Sequence, residues 1–128
     1  MNASITHCAV YAKDIEKTKD YYRNYFGGKS NDKYENAKGF SSYFITFHSG
    51  ARLEVMHHIH LEERTPKEIE SGWSHLAFSV GSKEAVIELT NQIAADGYEV
   101  FSQPRETGDG YFESCVSDPD GNRVEITE

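Results

Sequence analysis

The chain repeats itself, and the repeat narrows what it can fold into. His7-Cys8-Ala9-Val10 returns as His75-Leu76-Ala77-Phe78, and Arg52-Leu53-Glu54-Val55 returns as Arg123-Val124-Glu125-Ile126. The first pair is offset by 68 residues (7 to 75) and the second by 71 (54 to 125), a difference that one loop absorbs. Two segments that keep register over this distance read as one supersecondary module used twice.

The local signals give that module its order. Asp118-Pro119-Asp120-Gly121 is a turn, because Pro presets φ, Asp bonds nearby backbone and Gly accepts positive φ. It feeds a strand in which Val124 and Ile126 alternate with Arg123, Glu125 and Thr127, so the apolar pair faces a core and Glu125 the other side. In the first half, Ile5 to Ala12 reads as a strand with Ile5, His7, Ala9 and Tyr11 on one face. Asp14 then caps a helix carrying Ile15, Thr18, Tyr22, Tyr25 and Phe26 at helical intervals, and Gly27-Gly28 ends it. An irregular strand around Tyr34, a strand over 41–48, a turn at Ser49-Gly50 and a strand over 51–56 complete a β-α-β-β-β unit. The second half repeats the order: a strand over 73–80, a helix capped by Ser82 with Val86, Leu89 and Ile93 on one face, and strands over 98–103, 111–117 and 123–127. The expected architecture is α+β, a single domain over 1–128 with module one at 1–58, a connection at 59–72 and module two at 73–128.

Composition excludes several classes of function. A length of 128 residues suffices to bury roughly two-thirds of the unfolded surface, so no metal is needed merely to fold. The formal charge of −8 argues against nucleic acid or an anionic membrane as partner and favours a small molecule. No apolar run approaches the ~20 residues that cross a bilayer, and the first residues lack a charged segment followed by an apolar core. The expected location is the cytoplasm, where Cys8 and Cys115, lacking a Cys-x-x-Cys spacing, are reduced structural thiols.

Pleat parity picks out four side chains. On each repeated strand the face opposite the apolar row carries a potential ligand: His7, Glu54, His75 and Glu125. Two imidazoles and two carboxylates suit a divalent transition metal, with Ni, Co or Zn ahead of Mg and with Fe or Mn as further options. The competing reading makes each His a hydrogen-bonded structural residue and pairs each Glu with Arg52 or Arg123. His57, His58 and His60 form a local cluster, of which His58 shares the Glu54 face if its strand continues. Tyr11, Tyr43 and Trp73 are either walls of the same site or packing residues.

These residues, with the aromatic first helix ending in Gly-Gly, the Ser74-His75-Leu-Ala-Phe strand and the Asp118-Pro-Asp-Gly-Asn-Arg-Val-Glu125 segment, resemble the vicinal oxygen chelate superfamily, and most of all its glyoxalase I branch. The resemblance covers essentially the whole chain. It implies two β-α-β-β-β modules whose mixed sheets curl into a cup around a metal, commonly in a homodimer. It also implies isomerisation of the hemithioacetal of a 2-oxoaldehyde such as methylglyoxal, with His7, Glu54, His75 and Glu125 as ligands. Either Glu125 or Glu54 is then the base, and the C-terminal Glu125 holds that role by resemblance. Glutathione-using members resemble this chain less at two positions, where an Arg and an Asn that hold the tripeptide are replaced by Tyr11 and His58. Neither offers the charge that Arg presents to a carboxylate, so Tyr11 and His58 are candidate contacts to a thiol left open. A non-catalytic small-molecule binder or resistance protein, a dioxygenase and a thiol transferase are the alternatives on the same fold.

Overall fold

In the computed structural model, which describes residues 1–128, the chain divides into two compact units, Met1–Arg64 and Thr65–Glu128. The first contains β1 (His7–Tyr11), α1 (Ile15–Phe26), the short strands β2 (Lys29–Ser30) and β3 (Tyr34–Glu35), and the hairpin β4 (Phe40–Thr46) and β5 (Arg52–His58). Its sheet runs β1-β5-β4-β2, with β3 also on β4. β1 lies parallel to β5, a pairing that needs a crossover, and α1 lies within that crossover. Asp14 caps the helix by accepting the Lys17 N–H at 3.0 Å, and Gly27 ends it at φ 66°. Ile15, Thr18, Tyr21 and Tyr22 are buried on the helix and pack toward β4 and β5, whose buried residues include Tyr43, Ile45, Leu53 and Val55. Tyr21 takes the buried place expected of Tyr25. Edge-on ring packing at 5.1 Å to Tyr22 and 5.0 Å to Tyr25 widens the helix's apolar stripe into an aromatic cluster. Gly28 fits where a Cβ would run into Ile45 and Phe47.

The second unit contains β6 (His75–Ser79), α2 (Lys83–Ala95), β7 (Val100–Glu106), β8 (Phe112–Ser117) and β9 (Arg123–Thr127), in the order β6-β9-β8-β7. Ser82 caps α2 by accepting the Ala85 N–H at 3.2 Å. Val86, Thr90 and Ile93 are its buried residues, with Leu89 half-buried. A buried Thr at the centre of this face is tolerated because its hydroxyl donates to Val86 O at 2.6 Å and accepts from Ser114 Oγ at 2.7 Å. The segment between Leu61 and Ser74 carries no helix or strand. Cys8 and Cys115 are both free thiols, and no helix is long and apolar enough to cross a membrane.

The repeat seen in the sequence is also a repeat of register. His7 stands beside Arg52 and Ala9 beside Glu54 in the first unit, and His75 stands beside Arg123 and Ala77 beside Glu125 in the second. The β9 register is set at its start by Asp118, only 2% exposed. Its Oδ1 accepts the N–H groups of Asp120 and Asn122, each at 2.9 Å, and its Oδ2 accepts Asn122 Nδ2 at 2.9 Å. Gly121, at φ 82°, closes the turn.

Two predictions follow from these contacts. Asp118→Ala removes three hydrogen bonds to a buried carboxylate and is expected to cost about 2–3 kcal/mol, read as a lower urea midpoint at unchanged m-value. An unchanged midpoint would show that the turn holds without its carboxylate. On α1, Glu16 bonds Lys19 Nζ at 2.8 Å, Tyr43 Oη at 2.9 Å and Lys33 Nζ at 3.2 Å. The Lys19 contact chiefly, then Tyr43 and Lys33, hold its carboxyl down at about 2, against an ordinary 4.5. A folded-state value below the unfolded one stabilises above pH 4.5, and this stabilisation is lost as pH falls toward 2. With the Glu16 side chain 48% exposed, solvent screening limits the effect to less than about 1 kcal/mol. Glu16→Gln should therefore unfold slightly more easily than the parent near neutral pH, and the two curves should merge near pH 2.

Candidate metal and substrate site

On the face of the first sheet turned away from α1, β1 presents His7, Ala9 and Tyr11, and β5 presents Arg52, Glu54, Met56 and His58. Glu54 stands opposite the small Ala9, which leaves its carboxylate room to lean along the strand toward His7. Glu54 Oε1 reaches 3.8 Å from His7 Nε2, with the carboxylate largely covered at 15% exposure. Phe44, opposite Glu54 on β4, packs edge-on to the His7 ring at 5.4 Å and lies 4.4 Å under the Arg52 guanidinium. The glutamates therefore face histidines, and the arginines beside them rest on aromatic rings.

The second unit builds the same pair. Glu125 stands opposite Ala77, and its Oε2 lies 3.3 Å from His75 Nε2. Arg123 sits 4.3 Å over the Phe101 ring and 3.9 Å from Cys115 Sγ. In both units a hydroxyl from the preceding residue meets the other ring nitrogen, Thr6 at 2.9 Å from His7 Nδ1 and Ser74 at 3.1 Å from His75 Nδ1. The imidazole Nε2 is therefore the atom presented to each carboxylate.

An open cavity of about 410 Å³ in this unit is bordered by His75, Glu125, Glu113, Cys115, Arg105 and Arg123. Glu113, Cys115 and Arg105 were not among the residues expected from sequence. A signal for the first two lay in the antiparallel β8–β9 pairing, which sets Cys115 opposite Glu125 and Glu113 opposite Thr127, on the face that carries Glu125. Burial raises the Glu113 carboxyl above its ordinary range, and a hydrogen bond to Glu125 with that neighbour's charge raises it further, while Arg105 opposes. Burial also raises the Cys115 thiol, against the pull of Arg123, which keeps it neutral.

The remaining expected residues divide by face. Tyr11 lies on the His7 face and is 51% exposed. His58 closes β5 on the Glu54 face, and its Nδ1 accepts the His60 N–H at 3.1 Å, so its Nε2 carries the proton and is a donor. His57 points the other way and donates from Nδ1 to Ala12 O at 2.8 Å. Tyr43 is a packing residue, buried on the α1 side with its hydroxyl donating to Glu16. Trp73 is 95% exposed.

A divalent metal fits this donor chemistry. Nitrogen and oxygen ligands about 2.1 Å from an ion and at right angles to each other are about 3 Å apart, close to the 3.3 Å separating His75 Nε2 from Glu125 Oε2. Each unit brings one histidine and one glutamate together, and no group of three or more His, Cys, Asp or Glu side chains that could hold an ion is gathered.

Comparison with known proteins agrees with this fold. The family model described as Glyoxalase/Bleomycin resistance protein/Dioxygenase superfamily matches residues 4–126. The chain is 38% identical over 58 residues to the uncharacterized protein YqjT of Bacillus subtilis (strain 168), covering 43% of this chain and 45% of that protein. Its structure is similar to glyoxalase I from Zea mays, with a TM-score of 0.80 and 21% identity over 97% of this chain and 44% of the maize chain. It is also similar to the trypanothione-dependent glyoxalase I of Leishmania major, with a TM-score of 0.77 and 18% identity over 99% of this chain and 87% of the other. The chain thus covers less than half the length of YqjT and of the maize enzyme, and at these identities the two structural likenesses are of fold. With nearly the whole chain matched by one family model, the protein belongs to the glyoxalase/bleomycin resistance protein/dioxygenase superfamily.

Proposed function

We propose that the protein is a metal-dependent lyase of the glyoxalase I type, which converts the hemithioacetal of a 2-oxoaldehyde such as methylglyoxal into a 2-hydroxyacyl thioester. The observation that carries this reading is the His–Glu pair built twice in the same strand register. In this reading the two modules act as one domain, and His7, Glu54, His75 and Glu125 hold one Ni, Co or Zn ion. Two imidazoles disfavour Mg, and two carboxylates balance the charge of a divalent ion.

When bound, the metal supplies Lewis acidity toward the adjacent oxygens of the substrate. The chain's residues do the rest. Glu125 would take the proton from the carbon that bears sulfur and return it to the neighbouring carbon. The hydroxyl proton passes to the neighbouring oxygen, so the product is an isomer and nothing is oxidised or reduced overall. Tyr11 and His58 contact the thiol moiety, with His58 offering an Nε2–H donor. The Leishmania major enzyme is trypanothione-dependent, so a thiol other than glutathione is compatible with the fold. A small molecule is the partner, and the working form is a cytoplasmic homodimer.

Glu125→Gln, checked for retained metal, should lower turnover of a hemithioacetal by about 10²–10⁴-fold, the usual worth of a positioned base. Glu54→Gln should keep more activity than that. Near-normal turnover in the Glu125 variant would move the role to Glu54, and a metal-loaded parent that turns over no member of a panel of hemithioacetals would leave a binding protein. Sedimentation at micromolar concentration should give a dimer, and a monomer there would count against the assembly.

A further inference from the structure

The two histidines share a feature beyond their glutamates. Thr6 Oγ1 meets His7 Nδ1 at 2.9 Å and Ser74 Oγ meets His75 Nδ1 at 3.1 Å. The residues before them differ, Ile5 in one unit and Trp73 in the other, yet the hydroxyl and its contact recur.

A neutral imidazole has one N–H and one lone pair. A carboxylate facing Nε2, 3.3 Å away at His75 and 3.8 Å at His7, favours the tautomer with the proton on Nε2, in which Nδ1 accepts from the hydroxyl. An ion at Nε2 needs the lone pair there, so the ring proton must then be on Nδ1, where the hydroxyl oxygen accepts it. The ring gives one proton to solvent at Nε2 and takes one at Nδ1, and its charge is unchanged. A main-chain carbonyl could serve only the second arrangement and a main-chain N–H only the first. A hydroxyl serves both by rotating about its C–O bond.

We propose that Thr6 and Ser74 are positioning residues that keep His7 and His75 aimed in one direction in both proton arrangements, so that each ring exchanges its carboxylate for a metal ion without turning. The inference rests on the metal reading above. The tether matters because the rings are open to water, with side chains 39% exposed at His7 and 41% at His75, and the strand pleat does not stop a ring from rotating about its own bonds. Outer partners of metal-bound histidines are typically worth 10- to 100-fold in affinity, and the exposure of these two puts each at about tenfold.

The test uses the full chain stripped of metal, with Zn as the probe in competition with a chromophoric chelator. Thr6→Val and Ser74→Ala should each weaken Zn binding about tenfold without moving the thermal midpoint, and Thr6→Ser and Ser74→Thr should restore it. Nitrogen-15 shifts of the imidazoles at about pH 8, above the ordinary histidine range, should show Nδ1 unprotonated in the metal-free parent and protonated with Zn. In Thr6→Val and Ser74→Ala the metal-free rings should show mixed tautomers. Parental Zn affinity in those two variants overturns the proposal, as does an equal loss in Ser74→Thr and Ser74→Ala, which would assign the effect to packing. A parent that binds no Zn overturns the metal reading and the proposal together, an outcome distinct from a binding parent with indifferent variants.

Discussion

The site depends on one constraint of sheet geometry. In each unit the strand that carries Glu lies between a parallel strand that carries His and an antiparallel hairpin partner. The pleat sends alternate residues to opposite faces, so the order that buries Leu53 and Val55, or Val124 and Ile126, necessarily lifts Glu54 or Glu125 to the other side. A slip of one residue would bury the carboxylates under the helix and expose the core, so the hydrophobic pattern that folds the sheet also aims Glu54 and Glu125. The site is held by the same free energy as the core.

The small residue between the partners is part of that constraint. His and Glu are not direct neighbours across the parallel pair; Ala9 or Ala77 is the residue opposite the glutamate. A β-branched side chain there would fill the space through which the carboxylate leans toward the ring, while Ala leaves it open. Stability of the sheet favours branched residues in strands, and Ala at both repeat positions is a local concession to the site.

Much of this was legible in the sequence because it is local. Asp14, Gly27 and Ser82 act through hydrogen bonds or backbone angles within a few residues, and the alternation in 123–127 needs only the pleat. What was not legible depends on neighbours distant in the chain. Tyr21 displaced Tyr25 from the buried face because ring packing decided between two positions that helical periodicity treats nearly alike. β5 continues to His58 because β4 begins at Phe40 and pairs with it there. Tyr43 and Thr90 took buried places as polar residues because Glu16 and Ser114 satisfy them, partners 27 and 24 residues away. Glu113 and Cys115 could be assigned to the Glu125 face only once β8 was known to pair with β9 in that register.

Those two residues break the symmetry that the repeat suggests. At the positions matching Cys115 and Glu113, the first unit has Phe44 and Ser42, as the pairings with Glu54 and Met56 show. Glu54 thus has an aromatic ring beside it, whereas Glu125 has Glu113 on the neighbouring strand, whose carboxyl is raised first by burial and then by Glu125. A second carboxylate next to the first adds like-charge repulsion, which an aromatic ring does not. The sequence repeat makes Glu54 and Glu125 equivalent in register, and the strands beside them give the two different surroundings.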